Sequence, residues 1–374
     1  MLKILISLTF LILSAPAFAD QAEDKANFKR LYAEFNDLYA NSEDLEPIIE
    51  VAEKVYAIAP KAYGEKHKNT AAVTYNLASL YLEKANMSNA APDYTAASQK
   101  FSQYFNILDD NKAPQDRNYI YQYMQYIGAM SSEGRSRSLK KHASKVSKIA
   151  KTLDYKLDEL AEIEFFLGTN LFIDNEYLES LEYFKKANIK FTETFGPENF
   201  KSGKSAFWVA KIEMSQKKRQ SAEKHFLSAL NAFEKSGEKG NTLSQSTHAF
   251  LVGLYEDMRE SDKATKHCRA VAEERSKDFD RFITPLYRKN PEFPNISSSQ
   301  ASKMKNNYVD VVLEFDVDEN GITKNIEVIE SDDSKFNKNS IKAAQSYRYA
   351  PSVKNGKIVE TKDARVKISY RVAK

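Results

Sequence analysis

The sequence predicts a multidomain α+β chain: an all-α array of helical hairpins, followed by a small β-β-α-β domain. Three observations carry that expectation. Apolar residues recur at three- and four-residue spacing from about Asp24 to Asp280, the period of helices with one buried stripe. Pro285, Pro291 and Pro294, followed by Ser297 to Ser299, then interrupt the pattern. Beyond them Val309, Val311, Leu313, Phe315 and Val317 alternate with Asp310, Val312, Glu314 and Asp316, the period of a strand with one buried face. Composition agrees, because 42% of the 374 residues are hydrophobic and only 11 are glycine, which suits a large core with few tight turns. At this length more than one domain is expected. The expected boundaries are 1–19 for a targeting segment, 20–280 for the array, 281–302 for a linker or docking segment, and 303–374 for the sheet domain.

The first element is a secretory signal peptide. Lys3 supplies the positive end, Ile4 to Leu13 an apolar core, and Ala17-Phe18-Ala19 a small-x-small cleavage site. The core is far shorter than the roughly 20 residues a membrane-spanning helix needs, and no later stretch comes closer. An uncleaved signal anchor is the rival reading, disfavoured by the processing-type residues Ala15, Pro16 and Ala17. No cysteine lies near the cleavage site to take a lipid. The mature chain is expected to start at Asp20, with no membrane span, in the periplasm of a bacterium.

The array comes next. Its segments pair: Ala71 to Met87 with Asp93 to Leu108, Ala161 to Asn175 with Tyr177 to Phe191, and Lys204 to Lys218 with Gln220 to Gly237. In the last, Ala222, Phe226, Ala229 and Leu230 fall on one stripe. The dipeptides Tyr63-Gly64 and Phe195-Gly196 each end a pair and lie about 132 residues apart, three units of about 44. Small residues at matching places in first helices, Ala78, Gly168, Ala210 and Gly253, with a weaker mark near Gly128, fit that unit and let hairpin helices approach closely. This pattern resembles tetratricopeptide repeats of the longer type, as in kinesin light chains, in about six hairpins; armadillo-like or irregular hairpins are the alternative. Stacked hairpins imply a solenoid whose concave surface binds a peptide or another protein. Most of the 21 Tyr and 22 Phe are expected in the core, while Tyr121, Gln122, Gln125 and Tyr126 include residues off the core stripe that would line the groove.

In the sheet domain, Asp318-Glu319-Asn320-Gly321 is a turn and Ile326 and Val328 mark the returning strand. A helix then places Phe336, Ser340, Ala343, Ala344 and Tyr347 on one stripe with Ile341 at its flank, and Pro351 is expected to stop it. Asn355-Gly356 turns the chain into a last strand, with Ala364, Val366, Ile368, Tyr370 and Val372 inward and Arg365, Lys367, Ser369 and Arg371 outward. A right-handed crossover lays that strand beside the first, at an edge.

These residues, in this order, resemble the TonB C-terminal domain, the periplasmic domain of the energy transducer for outer-membrane transport. The family motifs fall on Phe315, Val317 and Gly321; on Ile326, Val328 and Ser331; on Phe336; on Tyr347, Arg348, Tyr349 and Pro351; and on Asn355, Gly356 and Lys357, with Phe293-Pro294 as an aromatic-Pro lead-in. Tyr347 stands where the family usually has Trp, and Asn306-Asn307 where a Gly commonly precedes the first strand. In place of the family's membrane helix and Pro-rich spacer stand a signal peptide and a helical array. The resemblance accordingly implies receptor binding rather than energy transduction. The resemblance implies that an extended receptor peptide adds to the edge strand along Arg365, Val366, Lys367, Ile368, Ser369, Tyr370 and Arg371. The basic residues there have two readings: attraction of an acidic segment, or a charged edge that resists aggregation.

No catalytic constellation is evident and no cofactor is expected. His67, His142, His225, His248 and His267 are scattered, and His267 adjoins the single Cys268, so the two point to different helix faces. Cys268 is most simply a small buried helix residue. There is no Gly-rich phosphate loop, nucleophile elbow or H-E-x-x-H motif, and Asp316, Asp318 and Glu319 lack the spacing of a cation loop. The formal net charge of +3 leaves no field that points to nucleic acid. The expectation is a non-enzymatic periplasmic adaptor whose partners are proteins or peptides: TonB-dependent outer-membrane receptors or transport-channel components. The alternative is a structural scaffold of the cell envelope with no role in transport.

Overall fold

A computed structural model describes residues 19–134, 138–237, 242–274, 284–295 and 307–371. The expected signal peptide and Val372 lie outside the described residues. Among the described residues no helix is long and apolar enough to cross a membrane. The chain divides into two compact units, Met1–Ala187 and Asn188–Lys374, so the sequence-based boundary near 280 falls inside the second.

The first unit is built of antiparallel helices: α1 (Ala19–Asn41), α2 (Leu45–Tyr63), α3 (Lys68–Ser88), α4 (Ala91–Asp110), α5 (Arg117–Glu133), α6 (Leu139–Ala150), α7 (Leu157–Ile173) and the start of α8 (Tyr177–Phe195). Their starts follow from local chemistry. Asp44 accepts from the Glu46 N–H, the His67 ring from Asn69, and Asp116 from Tyr119, each satisfying a donor that the first helical turn leaves open. The expected stripes are buried: Tyr75, Ala78, Ala97, Phe101 and Phe105 pack with Tyr119, Tyr123 and Ile127. Burying each large apolar side chain contributes about 1.5–3 kcal/mol.

The aromatic-Gly repeat recurs in three dimensions. Gly64 and Gly196 both take positive φ, +101° and +84°, which a side chain would strain. Six residues on, a hydroxyl returns to each glycine carbonyl: Thr70 Oγ1 donates at 2.7 Å and Ser202 Oγ at 2.8 Å. The turn is one device used twice. Gly168 also behaves as expected, since a Cβ there would lie 3.0 Å from the Phe184 ring.

The second unit holds the end of α8, α9 (Phe200–Ser215), α10 (Arg219–Lys235), α11 (Thr242–Met258) and α12 (Ser261–Glu274), and then the sheet domain. Ala222, Phe226 and Ala229 are fully buried, and Leu230 packs against the same cluster. Cys268 is buried on α12.

The sheet domain comprises β1 (Tyr308–Val317), β2 (Thr323–Ser331), a 3-10 turn at Ser334–Phe336, α13 (Asn337–Ala344), the short strands β3 (Ser352–Lys354) and β4 (Lys357–Val359), and β5 (Thr361–Arg371). The three-stranded sheet has the order β2-β1-β5, antiparallel throughout, so the last long strand lies beside the first and at an edge. Val309, Val311, Leu313, Phe315 and Val317 face Phe336, Ala343, Ala344 and Tyr347, with Ile341 at the margin. Two expectations need correction. The helix ends at Ala344, not at Pro351, because the Arg348 N–H and C=O are taken by Tyr287 and Leu286 in an isolated bridge. The Asn355-Gly356 turn, with both φ near +50° to +75°, closes the separate β3–β4 hairpin, and β5 starts only at Thr361.

Candidate functional site

β5 carries the residues expected to bind a peptide. Ala364, Ile368 and Tyr370 are buried and Val366 packs on the same core, while Lys367, Ser369 and Arg371 are exposed. Tyr370 is fixed from three sides: its hydroxyl is 2.9 Å from Ser340 Oγ, and its ring meets those of Phe336 and Phe293. Phe293, the lead-in aromatic, thus clasps one end of the core.

Arg365 and Lys367, and Lys362 before them, are not free charges. The Arg365 guanidinium meets Glu314 at 2.7 Å, Lys367 Nζ meets Asp310 at 2.5 Å, and Lys362 meets Asp316 at 2.9 Å. Strand pairing explains the pattern: Glu314 stands opposite Arg365, and Asp310 lies one diagonal from Lys367. An acidic β1 is laced to a basic β5 by three rungs. Lys367 and Ser369 hold the Asp310 carboxyl below its ordinary range. Burial pushes Asp316 up, but hydrogen bonds from Asn325 and Lys362 outweigh it and the net direction is down. This supports neither of the two readings of the basic edge in full, because Arg365 and Lys367 are satisfied within the domain.

The signature residues separate into roles. Phe336, Tyr347, Tyr349 and Pro351 are buried in the domain, and Asn355 and Gly356 form an exposed hairpin tip. Arg348, 5% exposed, is not a core packing residue; its guanidinium reaches α11 and α12. The β1–β2 turn is shaped by the Asp318 carboxylate, which accepts from the N–H groups of Asn320 and Ile322 at 2.9 Å each. It is a turn held by its own Asp318 side chain together with its backbone.

In the helical part, the structure narrows the groove expectation. Gln122 is buried and accepts from Tyr104 at 2.6 Å, Gln125 accepts from Tyr75 at 2.7 Å, and Tyr126 is in the core. Only Tyr121 of the four is exposed. The histidines are less scattered than the sequence suggested: His248 and His267 approach with their Nδ1 atoms 2.7 Å apart, and His267 stacks on Tyr255. Burial first, and then His248 and Lys266, lower the His267 pKa to about 4. Their spacing of 19 residues across a helix turn gave no local signal. Among the described residues no group of three or more His, Cys, Asp or Glu could hold a metal ion.

Comparison with known proteins agrees with the sheet domain. The family model of the Gram-negative bacterial TonB protein C-terminal matches residues 290–372, well under half of the chain. That span takes in every motif residue named above, Phe293 and Pro294 included. No curated protein matches the chain. Among solved structures, the chain is similar to a putative kinesin light chain of Podosopora anserina with nearly identical TPR-like repeats, at 15% identity over 59% of this chain and 99% of that one, TM-score 0.43. It is similar to BtubC of P. vanneervenii at 16% identity over 54% and 72%, TM-score 0.35. The C-terminal part of a TPR repeat-containing protein from Cytophaga hutchinsonii matches at 16% identity over 65% and 93%, TM-score 0.32.

Proposed function

We propose that this protein, through the TonB C-terminal domain at residues 290–372, is a non-enzymatic periplasmic adaptor in TonB-dependent outer-membrane transport. Residues 20–280 form the partner-binding array, 281–302 a linker or docking segment, and 303–374 the receptor-peptide module. Export by the N-terminal signal places it in the periplasm.

The observation that supports this reading most is β5. It is a long strand at a sheet edge, and an edge strand presents a row of backbone donors and acceptors to an incoming extended segment. Its inner residues are pinned by the core and by Ser340, so the edge is ordered before a partner arrives, which lowers the cost of binding. Because Arg365 and Lys367 are already paired with Glu314 and Asp310, backbone pairing rather than charge supplies most of the affinity. A few exposed backbone bonds contribute about 0.5–1.5 kcal/mol each, so weak binding, on the order of 1 mM, is expected.

Titration of the mature chain with peptides from the plug-proximal segment of outer-membrane receptors, read by fluorescence anisotropy, tests the proposal. Saturable binding with weak salt dependence is expected. No binding at millimolar peptide sinks the transport role and leaves the envelope-scaffold reading.

A further inference from the structure

The sheet domain of the second unit is seated on the α11–α12 hairpin, and Arg348 lies at the centre of the seat. Its guanidinium faces Glu256 of α11 at 3.5 Å, donates to Thr265 Oγ1 of α12 at 2.5 Å, and donates to the Asn320 carbonyl of the β1–β2 turn at 3.1 Å. Arg348 and Glu256 side chains are 6% and 15% exposed, so the charge sits away from water and depends on these partners. The backbone of the same residue is bridged to Leu286 and Tyr287, whose side chains pack on the α9–α12 core. Tyr287 also donates its hydroxyl to Asp257. At the rim, Arg269 donates to the Glu319 carbonyl at 3.1 Å and to Asn320 Oδ1 at 3.0 Å.

The fit leaves no room. Gly321 has φ +76°, and a Cβ on it would fall 2.2 Å from the Tyr349 carbonyl and 3.1 Å from Cys268 Cβ. The sole thiol of the chain therefore lies against the turn of the other element, fully buried.

We propose that Arg348, the arginine of the aromatic-Arg-aromatic signature, is a latch: within the second unit it joins the α11–α12 hairpin and the sheet domain into one body, so that hairpin carries the β5 edge in a fixed orientation rather than on a tether. The latch surface, made by Arg348 and the turn Asp318 to Gly321, is an internal interface whose partner is this chain's own last hairpin. It is thereby closed to outside partners. This goes beyond the peptide-binding reading and does not depend on it, because the latch forms with no partner present.

Cys268 supplies the readout. In the mature full-length protein, its reaction with a thiol reagent, followed by mass spectrometry, proceeds through opening of the joint. The wild-type thiol is expected to react on the order of 100-fold or more slower than the same thiol in denaturant. Arg348→Ala is expected to raise the native rate by on the order of 100-fold while far-UV circular dichroism stays unchanged, since it leaves Glu256 buried without its cation. Should Arg348→Ala fail to fold, Arg269→Ala at the exposed rim and Thr265→Val decide, each with an increase of about tenfold. Hydrogen exchange of α12 and of the 318–321 turn should rise together in each variant. A wild-type thiol that reacts at the denatured rate, or folded variants that react at the wild-type rate, would overturn the latch. Loss of peptide binding with a protected thiol would overturn only the transport reading.

Discussion

Two buried tyrosines of one small domain differ in what their hydroxyls meet. Tyr349 and Tyr370 are both buried in the sheet domain, yet the Tyr370 hydroxyl has Ser340 while the buried Tyr349 hydroxyl has no hydrogen-bond partner among the described residues. Burial accordingly drives the Tyr349 pKa upward. Tyr349→Phe is expected to be neutral or to stabilise by up to about 1 kcal/mol, whereas Tyr370→Phe is expected to cost about 0.5–1.5 kcal/mol. Urea titration of the two variants checks this. Acid sensitivity is also set by single residues. His267 is held neutral by burial, with a pKa lowered to about 4 from 6.5. Above pH 6.5 neither the folded nor the unfolded chain protonates it, so its contribution is fully present there. As pH falls from 6.5 towards 4 the unfolded chain takes the proton first, and stability on the order of 3 kcal/mol is lost. His267→Gln should flatten the denaturation midpoint across that window. Asp310, whose pKa is lowered, works in a separate window: its contribution is present above its unfolded value and is lost as pH falls through the folded one.

Elements show why some of this was legible. Periods of 3.6 and 2 are local properties, so the paired helices, the strand β1 and the stripe Phe336, Ser340, Ala343, Ala344 and Tyr347 could be read directly from residue spacing. The end of α13 could not, because it is set by Tyr287 and Leu286, some sixty residues earlier, taking the Arg348 backbone. Nor could the ion-pair lacing of β5, since pairing with β1 rather than composition decides which cations are satisfied. Gly203 was missed for the same reason. A Cβ there would lie 2.6 Å from Ala232 Cβ, a closeness that only the packing of α9 on α10 reveals. Gly203→Ala is expected to destabilise by about 1–3 kcal/mol through overpacking, measurable as a shift in the urea midpoint.

At the scale of the whole molecule, the motif order pointed to a sheet domain of known type, and its match over residues 290–372 agrees. The expected boundary near 280 lies inside a compact unit that runs from Asn188 to Lys374 and holds both the last helices and the sheet domain. Arg348 ties Glu256 and Thr265 into that unit, and no local pattern links the signature to these two residues, 83 or more positions before it. The central claim is that β5 is the edge on which a receptor-derived peptide adds. Hydrogen-exchange mass spectrometry of the mature chain, with and without saturating peptide, tests it most directly. Slowed exchange confined to the segment Arg365 to Arg371 is expected, with the latch turn Asp318 to Gly321 unchanged. Protection elsewhere while β5 exchanges at its free rate would contradict it.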